Sequence, residues 1–158
     1  MAQQLADRRD MDFVMWEQLA GEEYLKKFGY KEFNKKTCEM VLTEARALAI
    51  KEILPTLSES DEEGLKFDAG TVTVPESFIR LRELLLDGEW QNLQVEEEMG
   101  GQGAPPFLAA AVSEYFMAAN WPLYTYVTLG CSTAGMIYRH GTEEQKRLYL
   151  DKLISGEW

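Results

Sequence analysis

Between residues 37 and 54, Cys38, Val41, Leu42, Ala45, Leu48, Ala49 and Ile53 recur at spacings of three and four, with charged side chains opposite them. That period lays one apolar stripe along an α-helix, and Pro55 ends it. The pattern returns at Phe78, Leu81, Leu84 and Leu85, with Pro75 suited to the first turn and Gly88 to the C′ position. Upstream, Asp12 is placed to cap a helix carrying Phe13, Trp16, Leu19 and Ala20, and a shorter segment carries Tyr24, Leu25 and Phe28 before Gly29. Residues 58–70 are acidic and turn-rich, while 71–74 suit a short extended segment. Pro105 and Pro106 open an Ala-rich helix over 107–119, Pro122 breaks the pattern, and a further apolar helix follows from Leu123 to Arg139. In the last segment Thr142 and Gln145 have capping-box spacing, and Leu148, Tyr149 and Leu153 are expected to face inward. The sum is an all-α fold, a bundle of about six or seven helices.

At 158 residues and 46% apolar content the chain is long enough for one domain with its own core. A formal net charge of −11 argues against nucleic acid and against an anionic membrane surface, because phosphate needs a basic footprint and the Lys and Arg pairs form no stripe. The Glu-rich segments 59–63 and 96–98 read as solvated surface. Cys38 and Cys131 are too far apart in the chain to suggest a zinc ligand set, no secretory apolar segment precedes Asp10, and no apolar run approaches the roughly 20 residues of a membrane span. The expectation is a cytoplasmic protein with no membrane span.

The candidate chemistry is sparse. A single Gly-Gly-x-Gly run at Gly100, Gly101 and Gly103 is a weak phosphate signal, and the three glutamates before it would repel an anion. Gly100 and Gly101 are instead expected to supply positive-φ backbone for a sharp turn. Glu96, Glu97 and Glu98 are adjacent on a turn and cannot converge on one ion, and the Glu-x-x-His motifs of a di-iron bundle are absent, so no metal site is expected. His140 sits where a helix should end and suits a capping role. Cys131 and Ser132 have no base at motif spacing, which leaves no catalytic residue. Thr125, Thr128, Leu129 and Ser132 lie at i, i+3, i+4 and i+7 and share one half-polar helix face. Helix packing would account for it, since threonine hydroxyls can bond the preceding turn.

Two segments carry a family resemblance. In VEEEMGGQG, residues 95–103, Glu97, Glu98, Gly100, Gly101 and Gly103 match the acidic pair and glycines that join two helices in the N-terminal helical domain of the acyl-CoA dehydrogenases. In GTEEQKRLYL, residues 141–150, Gly141, Gln145, Lys146, Tyr149 and Leu150 match the helix that closes that domain. Glu96 and Met99 depart from it, standing where members usually carry Pro and Tyr. Arg9, Asp10, Phe13 and Val14 resemble the N-terminal extension of the longer members.

The resemblance implies an extension over 1–35 and the helical domain over 36–158, with the middle and C-terminal domains absent from this chain. It implies an FAD-dependent oxidoreductase of fatty acid metabolism that desaturates an acyl-CoA between Cα and Cβ, passes electrons to an acceptor flavoprotein and forms a homo-oligomer. FAD and the catalytic glutamate belong mainly to the other domains, so this chain alone is expected neither to bind FAD nor to catalyse. Thr125, Thr128, Leu129 and Ser132 fall where the resemblance puts the wall of the acyl-chain pocket. The rival reading is a free-standing acidic helical module that binds a partner protein through surplus aromatics such as Trp90, Trp121 and Trp158. A reading frame continuing past Trp158 would decide for the dehydrogenase.

Overall fold

The computed structural model describes Leu5 and residues 7–158. Helices dominate, and the one sheet among the described residues is a two-stranded hairpin, so the all-α expectation holds. The chain forms two compact units, Met1–Pro55 with Ala104–Trp121, and Thr56–Gly103 with Pro122–Trp158.

In the first unit, α1 (Arg8–Asp12) runs into a π-helical turn over Phe13–Gln18, followed by α2 (Gly21–Phe28) and α3 (Lys35–Leu48). The helix starts earlier than the sequence pattern indicates. Asp7, not Asp12, is the cap, its carboxylate accepting from the Arg9 N–H at 2.8 Å. The buried line runs through Met11 and Met15, four residues apart, while Phe13 and Leu19 are exposed. The α3 stripe is as its period implies, with Cys38, Leu42, Ala45, Ala49 and Ile53 buried, and its last turn becomes a π-helical Ala49–Ile53 before Pro55. Asn34 caps α3 by accepting from the Thr37 N–H at 3.0 Å. Leu108, Val112, Tyr115, Phe116 and Ala119, from the first half of α6 (Pro106–His140), are buried too.

In the second unit, α4 (Thr56–Glu63) precedes β1 (Lys66–Asp68) and β2 (Thr71–Thr73), which pair antiparallel with Phe67 opposite Val72. Ala69 and Gly70, at φ 45° and 87°, form a two-residue turn with both central residues left-handed, the geometry that suits the twist of a tight hairpin. Composition suggests turns over 58–70 and an extended segment over 71–74, so β2 lies where expected while α4 and β1 replace turn. α5 (Glu76–Asp87) buries Phe78, Leu81 and Leu85 but leaves Leu84 37% exposed. Gly88 is not the left-handed residue at its end. Glu89 is, at φ 54°, and Gly88 leaves room for the Trp90 indole, whose Nε1 would lie 2.6 Å from a Cβ there.

α6 breaks at Asn120, whose φ of −161° and ψ of 92° are extended. The interruption thus comes two residues before Pro122. Buried Asn120 has the residue type and backbone that begin a new helix, and Pro122 then falls in its first turn, where no N–H is missed. The second half of α6 directs Leu123, Val127, Cys131 and Ala134 inward. α7 (Glu143–Ile154) has the full capping box, Thr142 Oγ1 accepting from Gln145 N–H at 3.2 Å and Gln145 Oε1 accepting from Thr142 N–H at 2.8 Å. Its inward face is smaller than expected. Only Ile154 is buried among the α7 residues, while Leu148 and Tyr149 are 46% and 39% exposed.

Candidate functional site

The loop over Val95–Gly103 is a closed knot of backbone bonds. Met99 N–H and Gly101 N–H both donate to Glu96 O, at 2.9 and 3.1 Å, and Gly103 N–H donates to Val95 O at 2.9 Å. Buried Asn92 anchors it, its carbonyl accepting from Val95 and Gln102 N–H groups at 3.0 and 3.3 Å. The glycines divide their roles differently from the expected pair. Gly100 and Gly103 take positive φ, 84° and 60°, whereas Gly101 is required by close approach, because a Cβ there would sit 2.2 Å from Val95 O. The N–H groups of Met99, Gly100, Gly101, Gln102 and Gly103 all bond back onto the loop or Asn92, as a tight turn requires.

The three glutamates also separate. Glu97 and Glu98 are exposed, but Glu96 pairs with Arg139 near the end of α6 at 2.6 Å. A backbone N–H bond, and secondarily that guanidinium, hold the Glu96 carboxyl below its ordinary range. The pair ties the loop to α6, though with both side chains substantially exposed it is worth at most about 1 kcal/mol. His140 is exposed and ends α6, where a cap belongs. Among the described residues, no His, Cys, Asp and Glu group together as a metal site would require.

Both thiols are buried. Burial pushes Cys38 up to about 11 and raises Cys131 as well. At neutral pH each is a packed thiol rather than a nucleophile. Folded Cys38 keeps its proton where the unfolded chain has lost it, so its contribution is complete below about pH 9 and disappears as pH rises toward 11. Urea melts across that window are expected to lose on the order of 2 kcal/mol, and Cys38→Ala should flatten the loss.

The second half of α6 brings Thr125, Thr128, Leu129 and Ser132 together on the side away from its buried line. Thr125 and Thr128 are half-buried, Ser132 is exposed and Leu129 is 60% exposed. Thr128 Oγ1 donates to Tyr124 O at 2.9 Å, so one hydroxyl is spent within the helix. Behind this face, Gly130 meets the end of α7. A Cβ at Gly130 would lie 2.7 Å from Trp158 O and 2.8 Å from Leu153 O, and Cys131 Sγ is 3.9 Å from Ile154 O. This close packing holds the helix while its outer face stays open. In the first unit a separate open depression of about 610 Å³ runs along Ala110, Ser113, Glu114, Met117, Ala118 and Trp121.

One surface that the overall charge concealed is basic. Residues 24–36 carry five lysines against Glu32, and the alternation of Lys with Tyr and Phe in YLKKFGYKEFNKK was the available signal.

No described helix is long and apolar enough to cross a membrane. A sequence model of the family described as acyl-CoA dehydrogenase, N-terminal domain, matches residues 35–157. The chain is 35% identical over 130 residues to a 3-methylmercaptopropionyl-CoA dehydrogenase of Ruegeria pomeroyi, covering 76% of this chain and 22% of that protein. It is 29% identical over 141 residues to the broad-specificity linear acyl-CoA dehydrogenase FadE5 of Mycobacterium tuberculosis, covering 88% of this chain and 23% of that one. The chain therefore spans less than a quarter of the length of these relatives. With the family match extending from the start of α3 to the end of α7, over the Gly-rich loop and the capped last helix, this chain belongs to the acyl-CoA dehydrogenases and corresponds to their N-terminal domain.

Proposed function

We propose that this domain serves an FAD-dependent desaturation of an acyl-CoA thioester between Cα and Cβ, and that Thr125, Thr128, Leu129 and Ser132 form part of the wall of the acyl slot. The observation that carries the reading is the outward face of α6, a mixture of hydroxyl and apolar side chains left open inside the family-matched span. FAD, when bound in the full-length enzyme, supplies the hydride acceptor, and an acceptor flavoprotein takes the electrons. The role of this chain is position and exclusion of water. Leu129 offers apolar contact to an acyl chain, and the Thr128 hydroxyl, satisfied on Tyr124 O, can lie beside that chain without an unmet polar demand. The extension over 1–35 lies almost wholly outside the family-matched span and is proposed as an addition to the domain rather than part of the slot.

The 158-residue chain alone is expected to be helical, to remain colourless after incubation with FAD and gel filtration, and to produce no enoyl-CoA. The full-length gene product should co-elute with flavin and bleach on addition of acyl-CoA. Stoichiometric FAD on the short chain would overturn the assignment of these residues to a wall, and a full-length product that neither holds flavin nor responds to acyl-CoA would overturn the reaction.

A further inference from the structure

The five lysines of residues 24–36 give that segment a net charge of +4 once Glu32 is counted, which leaves −15 for the remainder of a chain whose total is −11. All five are exposed. Lys26 and Lys27 stand in the last turn of α2, Lys31 in the connecting loop, and Lys35 and Lys36 in the first turn of α3. Positive charge at the end of α2 complements the helix dipole, but at the start of α3 it opposes it, so helix stability does not explain the whole cluster. Phe28 is 58% exposed, with its ring 4.5 Å from that of Tyr24 and Lys27 Nζ 5.5 Å from the ring centroid.

We propose that this patch is a peripheral docking surface for an anionic lipid bilayer, with the lysines at the headgroups and Phe28 entering the interface. The charge pattern favours a lipid surface over a small anion. Five ammonium groups on flexible stems, spread over two helices and a loop, lack the fixed fork by which arginine holds a discrete phosphate, yet they suit a surface whose charge is smeared. An exposed aromatic ring beside a cation is suited to the boundary between headgroups and acyl chains. Glu22 and Glu23, one turn before Lys26 and Lys27 on α2, and Glu39, one turn after Lys35 on α3, offset part of the lysine charge, while acidic residues farther than about 10 Å are screened at about 0.1 M salt. Nearly all of the segment lies outside the family-matched span, and it belongs to the first unit whereas the residues of the proposed acyl slot belong to the second.

Sedimentation of the 158-residue chain with vesicles tests it, using phosphatidylcholine alone and phosphatidylcholine with about one-third phosphatidylserine. Binding is expected only to the anionic vesicles and should weaken as salt rises. The combined variant Lys26→Gln, Lys31→Gln, Lys36→Gln should lower the partition coefficient about a hundredfold, roughly fivefold for each lysine, with an unchanged far-UV spectrum. Phe28→Ser should remove the part of binding that survives high salt. Equal binding to neutral vesicles, no binding at low salt, or undiminished binding by the folded lysine variant would each overturn the proposal. So would lysine-dependent binding of a poly-glutamate peptide without vesicle binding, which would assign the patch to an acidic protein.

Discussion

Gly101→Ala is expected to destabilise the protein by about 2–3 kcal/mol, lowering its melting temperature by roughly 4–12 °C. The added Cβ would lie 2.2 Å from Val95 O and 2.4 Å from Val95 Cβ. Those atoms cannot swing aside, because Val95 O already accepts from Gly103 N–H at 2.9 Å and Val95 N–H donates to Asn92 O at 3.0 Å. Relief therefore requires opening the loop. Gly100→Ala is the control. Gly100 has a positive φ of 84° but nothing within 4 Å of a Cβ, so its cost is the left-handed backbone alone, about 1–2 kcal/mol. Thermal melts of both variants would separate the causes. Equal losses at the two positions would mean that the loop yields freely around Gly101 and that close packing is not what demands glycine there.

The difference between those glycines also shows how far the sequence could be read. Adjacent glycines announce a turn, but not which one turns the chain and which one makes room, since the second role depends on where Val95 returns. Helix existence was legible wherever an apolar period ran against fixed neighbours, as from Cys38 to Ile53. It failed in the N-terminal helix, where Met11 and Met15 offer an alternative apolar line at helical spacing and it is they, not Phe13 and Leu19, that are buried. The hairpin escaped because its turn is made by Ala69 and Gly70, without the Asn-Gly or Asp-Gly pair that usually marks one, and because its three-residue strands leave Phe67 and Val72 exposed. On α7, the cap was legible from Thr142 and Gln145 alone, whereas Leu148 and Tyr149 could not be placed without knowing what packs on them.

The candidate site was legible in the same limited way. Helical spacing joined Thr125, Thr128, Leu129 and Ser132 on one face, and the structure adds that this face points away from Leu123, Val127, Cys131 and Ala134. Periodicity cannot distinguish an outer face from a buried one when both carry small and apolar residues. Charge averaging hid the lysines of residues 24–36 for a related reason: a total of −11 describes the field at a distance, while docking responds to charges within about 10 Å.

Leu129→Trp, introduced into the full-length dehydrogenase, is expected to reduce kcat/KM for long acyl-CoA substrates about a hundredfold more than for short ones. Each methylene denied burial costs about 0.8 kcal/mol, close to fourfold, so displacing three or four of them from a filled slot produces that ratio. Leu129 separates a wall from a structural contact because it is 60% exposed. The same substitution in the isolated chain should shift stability by no more than about 0.5 kcal/mol, or about 2 °C, since no neighbour within the domain is overpacked. Val127→Trp supplies the contrast. Val127 is 6% exposed, and enlarging it should cost about 1–3 kcal/mol of stability and depress activity on every chain length alike. If Leu129→Trp instead behaves like Val127→Trp, with uniform loss and a lowered melting temperature, the outer face of α6 is ordinary packing surface and the slot must be sought elsewhere. If it leaves both the length profile and the stability untouched, that face remains in solvent in the assembled enzyme, and the wall assignment fails for the opposite reason.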